Sequence, residues 1–289
     1  MLKRQKTGSV VCPSCGSLVG VNDDRCLSCG RWNPGLWGFA PILRRLGADF
    51  GFVTLVLWGC SAMYLITLIT SGRGIRTDGL FSFLSPSIQV LFLFGASGAM
   101  PVFQFGRWWT VVSAGWLHGG LLHILFNMLW VRQLAPATAE VYGAGRMIII
   151  YTVAGVCGFV LSSTAGLILA GVPIPLLHGA QFTIGASAPI FGLLGALVHY
   201  GRRGGSSLVR REALGYALTL FLFGLFMQGV DNFAHAGGFA GGYLAALWLD
   251  PLRPERVEHL LAALVCISLV VLSIAVSVVH GLMLFQLAR

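Results

Sequence analysis

The feature that most constrains this chain is a long stretch without any charged side chain. No Asp, Glu, Lys or Arg occurs from Met147 to Gly201, a run of 55 residues. A membrane-spanning helix needs about 20 apolar residues, so this run is too long for one helix. The Gly- and Pro-rich segment GVPIPLLHGAQFTIGA (171–186) breaks it into two. Ser187, the first polar side chain after that break, must therefore lie near or inside a membrane.

Composition supports the same class of protein. The chain is 56% hydrophobic and 10% charged, with a mean hydropathy of +0.81. Soluble domains carry about 25% charged residues, so we predict an integral membrane protein. The net charge of +9 does not indicate a nucleic-acid partner, because basic residues beside hydrophobic spans set membrane orientation.

The apolar segments predict seven membrane spans. A further apolar stretch, from Leu80 to Gly106, carries no charge but contains Pro86, Pro101 and three glycines. Such punctuation argues against a continuous helix, and we interpret this stretch as a long loop half sunk in the outer leaflet. The predicted spans are about 50–70, 111–135, 147–170, 188–201, 212–229, 233–249 and 260–283.

The placement of basic residues predicts the orientation of these spans. With seven spans and a cytoplasmic N-terminus, the loop with four arginines at 202–211 lies inside, as do Arg146, Arg253 and Arg256. This arrangement agrees with the positive-inside rule, whereas an additional span at 80–106 would put the four-arginine loop outside. We therefore expect a multi-pass protein of a bacterial cell (inner) membrane with its N-terminus in the cytoplasm.

Residues 1–34 form a small separate unit built on cysteines. Cys12, Cys15, Cys26 and Cys29 follow a C-x2-C-x10-C-x2-C pattern. Two such turns can close one tetrahedral thiolate site, which predicts a zinc ribbon with a structural Zn²⁺. The alternatives are two disulfides, if this end were outside the cytoplasm, or iron in the same cage. Four thiolates fill the coordination sphere, so no catalytic role is expected for the metal.

Helix arithmetic brings three polar side chains into one layer of the membrane. Ser187 and His235 each precede the first charged residue after their helix by 15 residues. At 1.5 Å per residue, each lies about 22 Å from that boundary, in a hydrocarbon core about 30 Å thick. His123 precedes Pro136, the predicted end of its helix, by 13 residues, or about 20 Å.

Two readings exist for polar side chains at this depth. A lone serine usually bonds a backbone carbonyl, and a lone histidine usually bonds across helices. Ser187 and His235 differ because Gly185 stands two residues before the serine, at a helix start. Gly238 and Gly242 follow the histidine in a G-x-x-x-G pair that permits close helix contact. The other histidines outside the span of His123 are assigned structural roles: His178, His199, His259 and His280.

At these positions the chain resembles the rhomboid family of intramembrane serine proteases. The likeness covers about residues 50–250, and three motifs occur in the family's order. They are GASA at 185–188, an H-x4-H-x3-N pattern as His118, His123 and Asn127, and a histidine before G-x-x-x-G as His235, Gly238 and Gly242.

The resemblance implies an all-α, polytopic membrane helix bundle. We expect a zinc ribbon at 1–34, a linker at 35–49, a rhomboid-like core of six transmembrane helices at 50–250, and one extra C-terminal transmembrane helix at 251–289. Two positions depart from the family pattern. The family has a W-R pair near the end of its long first loop, where this chain reads Trp108-Trp109-Thr110. Ala188 and Pro189 follow the serine where Gly-Ala is common, which adds bulk directly after the serine.

The resemblance also implies roles for the site residues. Ser187 would be the nucleophile and His235 the general base and later the acid, without a catalytic cofactor. His123, Asn127 and the Ser187 N–H would donate to the oxyanion. Asp231, one turn before His235, is the alternative orienting group if a third member exists. The expected supporting residues are Phe191, packed on the His235 ring, with Gly185, Gly238, Gly242 and His118.

The expected substrates are transmembrane proteins that enter from the lipid bilayer and unwind at the scissile bond. A cytoplasmic partner of the ribbon is one further option. The alternative function is a catalytically weak or inactive relative that binds and escorts membrane proteins. A transporter would need polar groups along a path through the whole membrane. If these polar residues were scattered core residues without a site, they would share one depth and spacing only by several coincidences. The retained Ser/His pair favours the protease.

Overall fold

A computed structural model describes residues 4–77, 83–172, 179–227 and 229–287, apart from the side chains of residues 285 and 287. His178 and the first residues of the stretch that begins at Leu80 lie outside these ranges. The described chain is mostly helical, with one small two-stranded sheet at the N-terminus.

The N-terminal unit folds around two short strands. Strand β1 (Ser9–Val11) pairs antiparallel with β2 (Leu18–Gly20), so that Val10 lies opposite Val19. The interior of this unit consists of a few small side chains and cysteines: Val10, Cys12, Val19, Val21 and Cys26. An interior of this size holds a fold only with an additional constraint such as a bound metal.

The linker is more ordered than the sequence predicts. A 3₁₀ turn at Leu36–Gly38 is followed by helix α1 (Ala40–Arg45), which has a proline in its first turn. Leu36 and Ala40 are buried against Val257 at the start of the last helix. The linker therefore packs against the helix bundle.

Seven of the described helices have 17 residues or more, and each overlaps one of the seven predicted spans. Within the described residues, three segments are long and apolar enough to cross a membrane: Phe52–Gly74, Ala144–Ile168 and Val257–Leu284. The pair Thr110–Trp116 and Leu121–Tyr142, bent by 94°, makes a fourth if it is counted as one span. The helices are α2 (Phe52–Ser71), α3 (Ile88–Phe94), α4 (Thr110–Ser113), α5 (Leu121–Tyr142), α6 (Ala144–Ile168), α7 (Ser187–Arg203), α8 (Ser207–Phe226), α9 (Asn232–Trp248) and α10 (Val257–Leu287).

The stretch before α4 contains no long helix in its described part. Helix α3 has seven residues, and a single π-helical turn spans Met100–Gln104. This agrees with the prediction that the stretch is not a continuous helix. Ser97 and Thr183 exchange backbone hydrogen bonds of 3.0 and 2.8 Å, which ties this loop to the segment that leads into α7.

The second predicted span is not one continuous helix, and it does not end at Pro136. Helix α5 begins at Leu121 rather than near 111, because the chain bends sharply after Trp116. It also runs through Pro136, the predicted end, and stops only at Gly143, whose φ of +87° favours glycine. His123 thus lies 19 residues before Tyr142, or about 28 Å along the helix instead of about 20 Å.

Glycines bring α7 and α9 into backbone contact. A Cβ added at Gly238 would overlap the carbonyl of Ala188, and one at Gly242 would overlap the backbone of Gly192. Helix α6 joins them, because a Cβ at Gly158 would meet the Ala234 carbonyl and the Ala188 side chain. Close backbone approach of this kind is how small residues substitute for a hydrophobic driving force in membranes. It fixes the relative position of the helices that carry the candidate site.

Candidate active site

Ser187 is the first residue of α7, at the end of the bundle far from the cysteine unit. Gly185, two residues earlier, has φ +120°, and its N–H donates to the Ala114 carbonyl at 3.0 Å. This conformation is strained for any residue with a side chain, so the G-x-S motif has a local structural reason. Ser187 is half-buried, and it lies where the first N–H groups of a helix lack partners within the helix.

His235 stands in the first turn of α9, and only 5% of its surface is exposed. Its ring stacks on Phe191 with centroids 4.2 Å apart and planes at 14°. Phe191 lies one turn after Ser187 on α7, so the stack holds the imidazole against the serine's own helix. This is the contact expected for Phe191 from the resemblance.

Asn232, which sequence reasoning missed, fixes the tautomer of His235. Its side-chain Oδ1 lies 3.2 Å from His235 Nδ1. An amide oxygen only accepts, so Nδ1 carries the hydrogen and Nε2 keeps a lone pair. The available signal was the i, i+3 spacing of Asn232 and His235, which places both side chains on one helix face.

Asp231, the alternative orienting group, is engaged elsewhere. Its Oδ1 accepts from the Ala234 N–H at 3.0 Å and so caps α9, while its Oδ2 accepts from the Ser162 hydroxyl at 2.5 Å. Neither carboxylate oxygen bonds the His235 ring. Asp231 therefore anchors the start of α9 to α6 and does not orient the imidazole.

His123 lies beside Gly185 and has a defined tautomer of its own. The Gly119 N–H donates to His123 Nδ1 at 3.2 Å, so Nε2 carries the ring hydrogen. A Cβ at Gly185 would come within 2.5 Å of that Nε2. His123 thus presents an N–H donor beside the glycine that precedes Ser187.

Asn127 and His118 surround His123. Asn127 is buried one turn further along α5, and its Nδ2 donates to the His123 carbonyl at 2.8 Å, which leaves its second amide hydrogen available. The His118 ring packs edge-on to His123 with centroids 5.2 Å apart. His118 is fully buried, so its ring packs against His123 inside the bundle.

The Ser187 hydroxyl has no hydrogen bond in the described part of the chain, and none joins it to His235. The two side chains are held on adjacent helices by the Phe191 stack and the α7–α9 glycines. Apo catalytic hydrogen bonds are often long and tighten only when substrate binds. Acyl transfer uses groups of the kinds found here: an unbonded hydroxyl, an imidazole with a free lone pair and a nearby N–H donor.

The two departures from the family pattern have local structural explanations. Pro189 packs on Gly155 of α6, and Gly115 lies close to the same ring, so the bulk after Ser187 is directed at glycines. The chain lacks the arginine of the W-R pair, but it has Arg107, which is fully buried one residue before Trp108. Its guanidinium donates to the carbonyls of Phe92, Leu93 and Ser277, the last on α10, and lies over the Phe92 ring. The sequence prediction overlooked this residue.

The four N-terminal cysteines converge on one point. Their sulfur atoms all lie within 4.8 Å of one another, with Cys12 and Cys29 at 3.8 Å and Cys15 and Cys26 at 3.6 Å. A tetrahedral zinc site with bonds of about 2.3 Å gives sulfur separations near 3.8 Å, whereas a disulfide needs about 2.05 Å. The thiolate set therefore fits a metal ion. All four are free cysteines, as a metal site requires.

Hydrogen bonding and burial shift the pKa values of these thiols in opposite directions. A hydrogen bond with the Ser17 side chain lowers the pKa of Cys15 to about 6. Burial raises the pKa of Cys29 to about 12. A bound cation offsets that cost by replacing the proton, because metal ligands must be deprotonated.

The fold and the site together define a polytopic membrane helix bundle with a serine–histidine site at one end and a four-cysteine unit at the other. Residues 105–251, just over half of the chain, match the pattern of the Rhomboid domain. The protein belongs to the rhomboid family and is a multi-pass membrane protein.

Relatives are found in bacteria, plants and a protozoan. The rhomboid protease GluP of Bacillus subtilis is 31% identical over 191 residues, which is 65% of this chain and 35% of that protein. RHOMBOID-like protein 7 of Arabidopsis thaliana is 31% identical over 174 residues, 57% of this chain and 50% of the relative. Rhomboid-like protease 5 of Toxoplasma gondii is 28% identical over 221 residues, which is 74% of this chain and 23% of that protein. The chain thus spans between 23% and 50% of the length of these relatives.

Proposed function

We propose that this protein is an intramembrane serine endopeptidase that cleaves transmembrane segments of other membrane proteins. The observation that carries the proposal is the orientation of His235. Asn232 accepts from Nδ1 and Phe191 stacks on the ring, so Nε2 is free to accept a proton beside the helix that begins with Ser187. Its relatives named as rhomboid proteases support the same reaction class.

The chemistry follows from these groups. His235 Nε2 takes the Ser187 hydroxyl proton as Oγ attacks the scissile carbonyl carbon, and an oxyanion forms on its oxygen. The C–N bond then breaks, and His235 returns the proton to the leaving amine. Water, activated by the same histidine, hydrolyses the resulting ester and restores the serine.

The oxyanion would receive hydrogen bonds from neutral donors. His123 Nε2–H is aimed at the Gly185 side of the serine, and the Ser187 N–H belongs to the unpaired first turn of α7. Asn127 supplies its remaining amide hydrogen. Such preorganised donors are among the largest contributors to acyl-transfer catalysis.

The substrate class follows from the setting. A scissile bond in an intact helix has its backbone groups hydrogen-bonded, so the cut segment must unwind before attack. We infer that helix-destabilising residues near the level of Ser187 favour cleavage. By the distribution of arginines, the site lies toward the outer face of a bacterial inner membrane and the N-terminus lies in the cytoplasm.

The deciding experiment uses purified full-length protein and a single-span reporter substrate in the same lipid vesicles. We expect a discrete cleavage product that is absent with the Ser187→Ala protein, with circular dichroism and elution volume unchanged. Labelling by a serine-reactive fluorophosphonate should map to Ser187. Cleavage by Ser187→Ala at the normal rate would exclude this site as the nucleophile.

An escort protein without catalysis is the second candidate, because it would use the same fold. It predicts stable capture of the reporter substrate without a product. Retention of both Ser187 and a correctly oriented His235 argues against it.

A further inference from the structure

A second buried polar cluster lies at the opposite end of the bundle from the serine. Two side chains of the cysteine unit meet one backbone carbonyl there. The Ser14 hydroxyl donates to the Glu255 carbonyl at 2.6 Å, and the Arg31 guanidinium donates to the same oxygen at 2.9 Å. Arg31 is only 3% exposed, and it also donates to Ser14 Oγ at 2.5 Å. A buried arginine in a unit this small requires a partner outside the unit.

The partner is the turn that joins α9 to α10. Residues 250–256 form this turn, and Arg146 at the start of α6 holds it from the other side. The Arg146 guanidinium donates to the carbonyls of Asp250 and Arg253, and its backbone N–H donates to the Glu255 carboxylate at 3.0 Å. The turn is therefore held by hydrogen bonds from Arg146 of α6 on one side and from the cysteine unit on the other.

The hydrogen bonds from the cysteine unit to this turn come from the loops that carry its thiols. Ser14 lies between Cys12 and Cys15, and Arg31 lies two residues after Cys29. Both contacts to Glu255 therefore come from the two loops that a metal would close. The unit has too few interior side chains to keep these loops in place unaided.

We propose that the cysteine unit is an internal clamp that docks on its own chain's α9–α10 turn, and that the bound metal keeps the clamp closed. Loss of the metal frees the loops of Ser14 and Arg31 and releases the turn. The occupant of this docking surface is thus residues 250–256 of the same molecule rather than a separate cytoplasmic protein. The apolar contact of Leu36 and Ala40 with Val257 continues the same interface along the linker.

The test measures docking directly in the full-length protein. A site-specific protease sequence is inserted between Gly47 and Ala48, which are exposed. After cleavage in detergent, size-exclusion chromatography reports whether residues 1–47 stay with the bundle. We expect co-elution with zinc bound, separation after removal of zinc by a chelator, and renewed co-elution when zinc is restored. Co-elution after verified zinc removal, or separation with zinc still bound, would overturn the metal-dependent clamp.

Matched variants locate the contact. Arg31→Ala should raise the dissociation rate of the cut fragment about tenfold or more, because losing one partner of a buried charged hydrogen bond acts mainly on dissociation. Arg25→Ala removes the same charge from an exposed position of the unit and should leave the rate unchanged. Equal rates for the two variants would exclude the Arg31 contact.

Ser14→Ala covers the case in which Arg31→Ala disturbs the fold of the unit. This variant keeps all four thiols and removes only the hydroxyl that donates to Glu255. It should bind one zinc per chain, as the unaltered protein does, and release the fragment a few times faster. An unchanged release rate in Ser14→Ala with full zinc content would contradict the docking contact. None of these measurements uses proteolytic activity, so the clamp and the proposed protease function fail separately.

Discussion

The two ends of this bundle both bury polar groups, but they do so with different chemistry. At the cysteine end, Arg31 and Arg146 are charged, and they donate to backbone carbonyls of one turn. At the serine end, the side chains around Ser187 are neutral imidazoles and amides. The first cluster fixes the chain through hydrogen bonds to backbone carbonyls, although Arg31 Nε and Nη2 and Arg146 Nε have no partner among the described residues. The second leaves the Ser187 hydroxyl and one His235 nitrogen unbonded.

This difference in chemistry determines which cluster has a nucleophile and a proton acceptor available. A guanidinium has only N–H donors and stays protonated, so it can neither accept a proton nor act as a nucleophile. His235 has one nitrogen committed to Asn232 and one free, and the Ser187 hydroxyl has no partner in the described residues. A site for acyl transfer needs such uncommitted groups held in place by committed ones.

We expect the largest loss of cleavage rate from substitutions of Ser187 and His235 at the serine end. Either alanine variant should reduce the cleavage rate about 10⁴-fold or more, and the double variant should be no worse than the worse single variant, because the pair acts as a unit. The measurement is single-turnover cleavage of the reporter substrate in vesicles. Ser268→Ala, which alters an exposed serine on α10, is the control and should be unaffected. Losses that multiply in the double variant would contradict a shared mechanism.

A smaller effect is expected on the oxyanion side. His123→Ala should lower kcat about 10²–10³-fold with little change in KM, since the donor acts in the transition state. Asn127→Ala should lose less, because its amide already donates to the His123 carbonyl. The measurement is the separation of kcat from KM for both variants. A rise in KM at constant kcat would show that these residues bind substrate instead.

The next prediction distinguishes two neighbouring residues at the start of α9, the N-cap Asp231 and the first helical residue Asn232. Asn232→Ala should lower kcat about tenfold, the worth of roughly one hydrogen bond that orients His235. Asn232→Asp should recover most of the rate, because a carboxylate still accepts from Nδ1. Asp231→Asn should change little, since Asn also caps helices well and Asp231 does not contact the ring. A tenfold loss in Asp231→Asn with a normal Asn232→Ala would reverse the assignment.

The sequence predicted most of the helices because charge-free length and Gly/Pro breaks are local signals. It erred at α5, where Pro136 was read as an end. A proline in the interior of a membrane helix is tolerated when neighbours satisfy the freed backbone groups, and Gly143 supplies the actual stop. The sharp bend before Leu121 depends on packing of distant segments, which periodicity does not report.

The candidate site was predictable in its motif residues but only partly in its connections. Asn232 lies three residues before His235, a local spacing that was available in the sequence. Arg107, in contrast, acts through tertiary hydrogen bonds and reaches α10, 170 residues away in sequence. The docking of Arg31 on Glu255 is equally long-range. Such contacts join segments with no shared spacing, so one sequence without geometry gives no rule for finding them.

The smallest expected effect tests whether the two ends are energetically separate. Deleting residues 1–34 should leave kcat within about twofold, because His235 lies 13 residues, or about 20 Å, from the end of α9 that leads to the clamped turn. Amide hydrogen exchange in residues 250–256 should nevertheless accelerate, since two hydrogen bonds to the Glu255 carbonyl are lost. Exchange around Ser187 should stay unchanged in the same sample. A loss of kcat as large as that of Asn232→Ala would show that the clamp is coupled to the serine end through α9, and that the two clusters form one cooperative unit.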